Sequence, residues 1–236
     1  WEKRKQRGDA ETPMHNVSIP VIGGASAGGM TGIIAASALN SPIEPVKTAG
    51  SNILEQKPGN KFYHSWVDLI QDDMFPLMLD TSDIKGQGGI VSMLNSSFIE
   101  KIAERALQCG AEPWITRKYI AENLKVFATL TNLNGYSYDV SFKSDLPNKS
   151  EFWVSRHNDY ACFALNLDET QYKNDGWIPL SFKNNLNVAM ARQAAMATGA
   201  FPIGLRSRRL SRKSLYVEQN KWLNEVTKII PIPPGE

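Results

Sequence analysis

A short apolar run, Val17 to Ile22, leads directly into Gly23-Gly24-Ala25-Ser26-Ala27-Gly28, and this junction constrains the fold more than any other stretch of the chain. Branched residues followed at once by glycines read as a strand that ends in a tight turn. From Ala27 to Leu39 small and apolar residues dominate and the next proline is Pro42, so a helix packed closely on a sheet is expected there. A Gly-x-Ser-x-Gly segment between strand and helix presents a serine hydroxyl at the carboxyl edge of a sheet, where a carbonyl can approach it. Ser26 is therefore the candidate nucleophile. Gly24 and Gly28 are expected to remove side chains that would collide as strand and helix close on each other. The Ala27 N–H, at the positive end of the helix, is the candidate donor to an oxyanion.

The rest of the chain continues the alternation of strand and helix. Ser41 to Asn60 carries three prolines and reads as loop. Phe62 to Asp73 places Phe62, Trp66, Leu69 and Ile70 at helical spacing, and Ser97 to Gln108 does the same with Phe98, Ile99, Ile102, Ala103 and Leu107. Leu124 to Leu130 is expected as a buried strand, Tyr136 to Phe142 as its hairpin partner after Asn134-Gly135, and Asp159 to Leu165 as a third strand. A last helix is expected over Leu186 to Thr198. The fold class that follows is α/β, a three-layer core with a mixed, mostly parallel sheet flanked by helices, in one domain over residues 1–236.

Composition narrows the function classes. A net charge of +2, with no basic and aromatic residues interleaved on an expected strand, gives no reason to expect nucleic acid as a partner. Two cysteines, Cys109 and Cys162, and the histidines His15, His64 and His157 do not fall at metal-ligand spacing, so a zinc site is not expected; no organic cofactor is expected either. The cysteines read as buried thiols, with a single disulfide left open. The longest apolar-rich stretch, Met30 to Leu39, is half of the roughly twenty residues that a membrane-spanning helix needs. The chain opens on the polar run Trp1 to Thr12, which is not a signal peptide. A protein in solution or at a membrane surface is expected.

Three further segments, together with the serine motif, resemble the patatin-like phospholipase family and follow its order. Gly24 to Gly29 resembles the nucleophile block, Met93-Leu94-Asn95-Ser96-Ser97-Phe98-Ile99 a Leu-Leu-Asp-Thr-Ser-Pro-Leu helix start, and Phe127-Ala128-Thr129-Leu130-Thr131-Asn132 a strand ending in Ala-Thr-Asp-Leu. Ala191 to Pro202 is similar to the Ala-x-x-Ala-Ser-x-Ala-x-Pro block. The resemblance implies a serine lipid acyl hydrolase acting through an acyl-Ser26 intermediate and a Ser-Asp dyad, on a lipid ester substrate with contact to a membrane surface. It also implies two parts that the chain lacks. No Asp-Gly-Gly or Asp-Gly-Ala turn follows Pro202, so the dyad aspartate is unassigned, and no Gly-rich oxyanion loop precedes Ser26. Asp175-Gly176 reads as a surface turn, and Gly86-Gln87-Gly88-Gly89 comes too late to be the missing loop. The catalytic pieces then lie outside this sequence, or the chain is a silent lipid- or partner-binding relative.

Three other features leave alternatives. His157 with Asp139, Asp145 or Asp159 is the material for a Ser-His-Asp arrangement, against an ordinary surface histidine. Arg206 to Lys213 is a contact for anionic headgroups or a solvated basic stretch. Met74 to Leu79, an apolar cluster around Pro76, is core or a lid over an acyl pocket.

Overall fold

The computed structural model describes residues 1–47, 59–67, 74–84, 90–108, 115–140, 152–166 and 169–224. After a short helix α1 (Glu2–Gln6), the first strand β1 (Ile19–Gly24) runs into helix α2 (Ala27–Ala38). Helices α3 (Lys61–Trp66), α4 (Phe75–Met78) and α5 (Ser97–Ala106) follow, then the long strands β2 (Ile120–Val140) and β3 (Phe152–Leu165), and the short β4 (Ile178–Leu180). Helices α6 (Val188–Thr198), α7 (Ser214–Glu218) and α8 (Lys221–Asn224) complete the described chain.

The strands form one sheet in the order β1-β2-β3-β4. β1 pairs parallel with β2 and β3 parallel with β4, while β2 and β3 are antiparallel, so the sheet is mixed and mostly parallel as expected. Its two faces follow from the period-two alternation of side chains. Leu124, Val126 and Ala128 of β2 and Ala161, Phe163 and Leu165 of β3 share one core cluster with Ile33, Ile34 and Ala36 of α2 and Val188, Ala191, Ala194 and Ala195 of α6. Leu124 and Phe163 are completely buried, which stabilises the fold by about 2 kcal/mol each. On the other face Phe127, Tyr160 and Trp177 pack in T-shaped fashion against Trp222 in α8 at ring-centroid separations of 4.8, 5.4 and 5.4 Å. Helices thus lie on both sides of the sheet, in three layers.

Small residues set the spacing between α2, α6 and the sheet. A Cβ built on Gly32 would lie 3.3 Å from the Ile22 side chain, and α6 presents Ala191 and Ala194 with no exposure at all. α2 is apolar around its whole circumference, as suits a helix packed both on the sheet and on α6. By contrast α5 is amphipathic: Ala106 and Leu107 are buried while Glu100, Lys101 and Glu104 face solvent.

Asn134-Gly135 does not make the expected hairpin. Lys125 to Thr131 and Tyr136 to Val140 belong to one strand, and both halves pair with β3, from Lys125 opposite Ala164 to Val140 opposite Phe152. Between Thr131 and Tyr136 the register shifts, and there the Asn132 carboxamide oxygen accepts the N–H groups of Asn134 (3.0 Å) and Gly135 (3.2 Å). Gly135, at φ +76°, takes the left-handed conformation of a bulge. A side-chain cap thus absorbs the turn residues into a kink, and the true connection falls in residues 141–151, outside those described. Asp159 to Leu165 is the second half of β3 rather than a separate third strand. The expected helix over Phe62 to Asp73 is present from Lys61 to Trp66, and residues 68–73 lie outside the described set.

Met74 to Leu79 does not enter the core. Phe75 and Leu79 are 72% and 64% exposed, so α4 is a ridge on the surface.

Candidate functional site around Ser26

Ser26 stands between β1 and α2 with φ 52° and ψ −127°, a left-handed conformation that a non-glycine residue adopts at a cost of about 1–3 kcal/mol. Three contacts hold it. The Ser26 N–H donates to Thr198 Oγ1 at the end of α6 (2.9 Å), the Ser26 carbonyl accepts from Met30 N–H (3.0 Å), and the Ala25 carbonyl accepts from Gly28 N–H (2.9 Å). The side chain is exposed, and among the described residues its hydroxyl makes no hydrogen bond.

The glycines divide the steric work differently from the expectation. A Cβ on Gly24 would lie 2.8 Å from the Gly28 carbonyl carbon, and one on Gly29 2.8 Å from the Thr198 methyl and 3.0 Å from the Gly24 carbonyl. A Cβ on Gly28 would meet nothing within 4 Å, so Gly28 contributes its backbone to the approach but its missing side chain is not what permits it. Gly24 and Gly29 are the tight positions. The Ala27 N–H heads α2 with no acceptor among the described residues, as its suggested role requires.

Ser26 opens onto a groove of about 2210 Å³ walled by the bulged part of β2, the end of α6 and the segment from Phe201 to Lys213. A second residue with left-handed backbone lines the same groove: Ile203, at φ 67° and 77% exposed, a conformation rare for a branched side chain. The Ile203 and Gly204 carbonyls accept from Met93 and Leu94 N–H at 2.9 and 3.0 Å, and the Met78 carbonyl accepts from Asn95 N–H at 2.8 Å. The groove rim is thereby joined to α4, and three of its apolar side chains, Val91, Phe201 and Ile203, are exposed.

Among the described residues three carboxylates line the groove, and an arginine holds each of them. Arg212 spans both oxygens of buried Asp159 (3.1 and 2.5 Å) and reaches Tyr136 Oη (2.8 Å) and the Tyr160 carbonyl (3.0 Å). Burial opposes the charge on Arg212, but Asp159 and Tyr136 outweigh that and hold it above its ordinary pKa. Arg208 pairs with Glu100 and donates to Ser96 Oγ (3.1 Å), and Arg192 meets Glu104 at 3.4 Å. None of the three is poised beside Ser26 as a free base. Sequence reasoning did not find Thr198 as a partner of Ser26, nor these pairs, because their members lie 53 to 172 residues apart in the chain.

The remaining sequence candidates do not converge on Ser26. His157 is exposed and its Nδ1–H donates to the Asn132 carbonyl (2.7 Å), which takes the nitrogen that a triad would direct at an acid. Asp159 belongs to Arg212, and Asp145 lies outside the described residues, as does the Asp139 side chain. Asp175-Gly176 forms a turn, but not a free surface one: Gly176 is buried and its Cβ would come 2.5 Å from Asn220 Cα, while Asp175 Oδ1 accepts from Trp177 N–H (3.1 Å). Cys162 is a buried free thiol that accepts from Asn220 Nδ2 (3.5 Å), and Cys109 and Gly86 to Gly89 lie outside the described residues. Among the described residues no group of three or more His, Cys, Asp or Glu could hold a metal ion, and no helix is long and apolar enough to cross a membrane.

No protein-family model matches the chain, and no solved structure matches it. It is similar to an uncharacterized protein of Sinorhizobium fredii, 27% identical over 259 aligned positions that cover 99% of this chain and 36% of that protein. The chain therefore spans about a third of the length of the curated relative it matches.

Proposed function

We propose that this chain carries the nucleophile of a serine acyl hydrolase of the patatin-like type, acting on lipid esters. The observation that carries the reading is the backbone of Ser26: a strained φ of 52° at a strand-to-helix turn, with the hydroxyl exposed to a groove that also presents the apolar side chains Val91, Phe201 and Ile203. Such strain persists where the surrounding structure over-determines it, and Thr198, Gly24 and Gly29 supply that constraint here.

In the reaction the Ser26 oxygen bonds to the ester carbonyl carbon as its proton passes to a base. The carbonyl oxygen becomes an oxyanion facing the Ala27 N–H and the positive end of α2. The C–O bond to the alcohol then breaks, with a proton returned to the leaving oxygen, and water repeats the sequence on the acyl-Ser26 ester to release the fatty acid. The base is the unassigned dyad aspartate. One observation favours a second reading, a silent lipid- or partner-binding domain: every carboxylate that lines the groove among the described residues is already held by an arginine.

The test is hydrolysis of p-nitrophenyl butyrate by the full-length protein containing this chain. The hydrolase reading expects turnover that falls at least about a hundredfold in Ser26→Ala. Equal rates for the two proteins, or no turnover by a folded wild type, would favour the binding domain.

A further inference from the structure

Among the described residues the groove carries more positive than negative charge, and the excess is placed. Six cationic side chains and three carboxylates among the described residues line it. Asp159, Glu100 and Glu104 take up Arg212, Arg208 and Arg192 in turn, and Lys213 Nζ sits 5.9 Å from the centre of the Tyr216 ring. Arg206 and Arg209 are different: both are exposed, and among the described residues neither makes an ion pair or a hydrogen bond. They follow directly on Phe201 and Ile203, which are 71% and 77% exposed and line the same groove as Ser26. A cleft with low-dielectric walls and one sign of charge in excess concentrates ligands of the opposite sign. The planar fork of a guanidinium also donates two parallel N–H bonds to two oxygens of a phosphate.

We propose that Arg206 and Arg209 form a subsite for an anionic headgroup, so that the groove takes acyl esters of net negative charge in preference to zwitterionic or neutral ones. The acyl chain lies along the apolar rim of Val91, Phe201 and Ile203. The inference rests on the acyl-hydrolase reading for the ester that places the acyl chain near Ser26, but the headgroup selectivity is a binding property and is measured without turnover.

The experiment is a titration of the full-length Ser26→Ala protein with dihexanoylphosphatidic acid and, separately, dihexanoylphosphatidylcholine, both monomeric, followed by tryptophan fluorescence. Trp153 lies in the groove wall at 58% exposure and serves as a reporter. The anionic lipid is expected to bind at least about tenfold more tightly at low salt, a ratio that falls as salt screens the arginines. The double variant Arg206→Gln/Arg209→Gln brings the two lipids within twofold of each other. Arg206→Lys/Arg209→Lys keeps most of the preference, and Arg7→Gln, an exposed arginine outside the groove, keeps all of it. Inorganic phosphate alone binds at least tenfold more weakly than the anionic lipid. Equal affinity for the two lipids, a preference that survives the double Gln variant, or phosphate binding as tight as that of the lipid would each overturn the proposal. A preserved anionic preference beside a Ser26 that turns over no ester would instead overturn the hydrolase reading alone.

Discussion

The N–H of Ser26 donates to the hydroxyl of Thr198, 2.9 Å away and 172 residues later in the chain, so the end of α6 holds the start of α2 in place. The Thr198 methyl also lies where a side chain on residue 29 would have to go. The strained turn is thus closed from outside by one threonine. Replacing Thr198 by valine keeps the shape and removes the acceptor. It is expected to lower stability by about 1 kcal/mol and to slow any reaction at Ser26, while Thr198→Ser restores both. Denaturant unfolding and labelling rates of the two variants measured together check this, and a valine variant identical to wild type in both would refute it.

Three glycines in the turn should respond differently to alanine. Gly24→Ala and Gly29→Ala each press a methyl against backbone or Thr198 at 2.8 Å, and both are expected to destabilise by about 1–3 kcal/mol. Gly28→Ala meets open space inside a helix and is expected to stabilise by about 0.5–1 kcal/mol. Thermal melts of the three variants give the ranking, and Gly28→Ala falling with the other two would contradict it.

How much of this was legible in the sequence differs element by element. The turn at Ser26 was visible because glycine, serine and a short branched run are local signals, and α5 and α6 because their periodicity is local too. Asn134-Gly135 carries an equally strong local signal for a hairpin, yet the Asn132 side chain and the pairing of both flanks with β3 turn it into a bulge. β4, α7 and α8, each of three to five residues, owe their form to packing rather than to pattern. Gly24 was read correctly as a close approach and Gly28 was not, because only the path of the backbone shows which Cβ position is filled. In the basic run from Arg206 to Lys213 the sequence shows five cations but not which of them Asp159 and Glu100 claim.

The Asp159–Arg212 pair, with both side chains under a tenth exposed, ties β3 to the segment before α7. Removing one partner leaves the other charge buried and unpaired. Arg212→Met or Asp159→Asn is therefore expected to cost about 3–5 kcal/mol, far more than Arg192→Met at the exposed Glu104 pair, which is expected to cost under about 1 kcal/mol. Urea denaturation of the three variants tests the contrast.

Alkaline pH should unfold the protein through its buried neutral acids. Burial pushes the Cys162 thiol up from 9.0 to about 12 and the Tyr136 phenol up from 10.0 to about 12. Between those limits the unfolded chain has released protons that the folded chain still holds, so stability falls as pH rises. The loss begins near pH 9 and continues to about pH 12. Cys162 is accordingly expected to resist iodoacetamide at pH 8 in the folded protein and to react once urea exposes it, with peptide mapping to separate it from Cys109. Modification of Cys162 at the same rate with and without urea would contradict this assignment.

The most direct test of the central claim is labelling of the full-length protein with a fluorophosphonate probe, with the adduct mapped by mass spectrometry. The expected result is one adduct, on Ser26, that disappears in Ser26→Ala and weakens in Thr198→Val. An intact, folded protein that takes no label, or takes it equally well in Ser26→Ala, would contradict the assignment of Ser26 as an activated nucleophile.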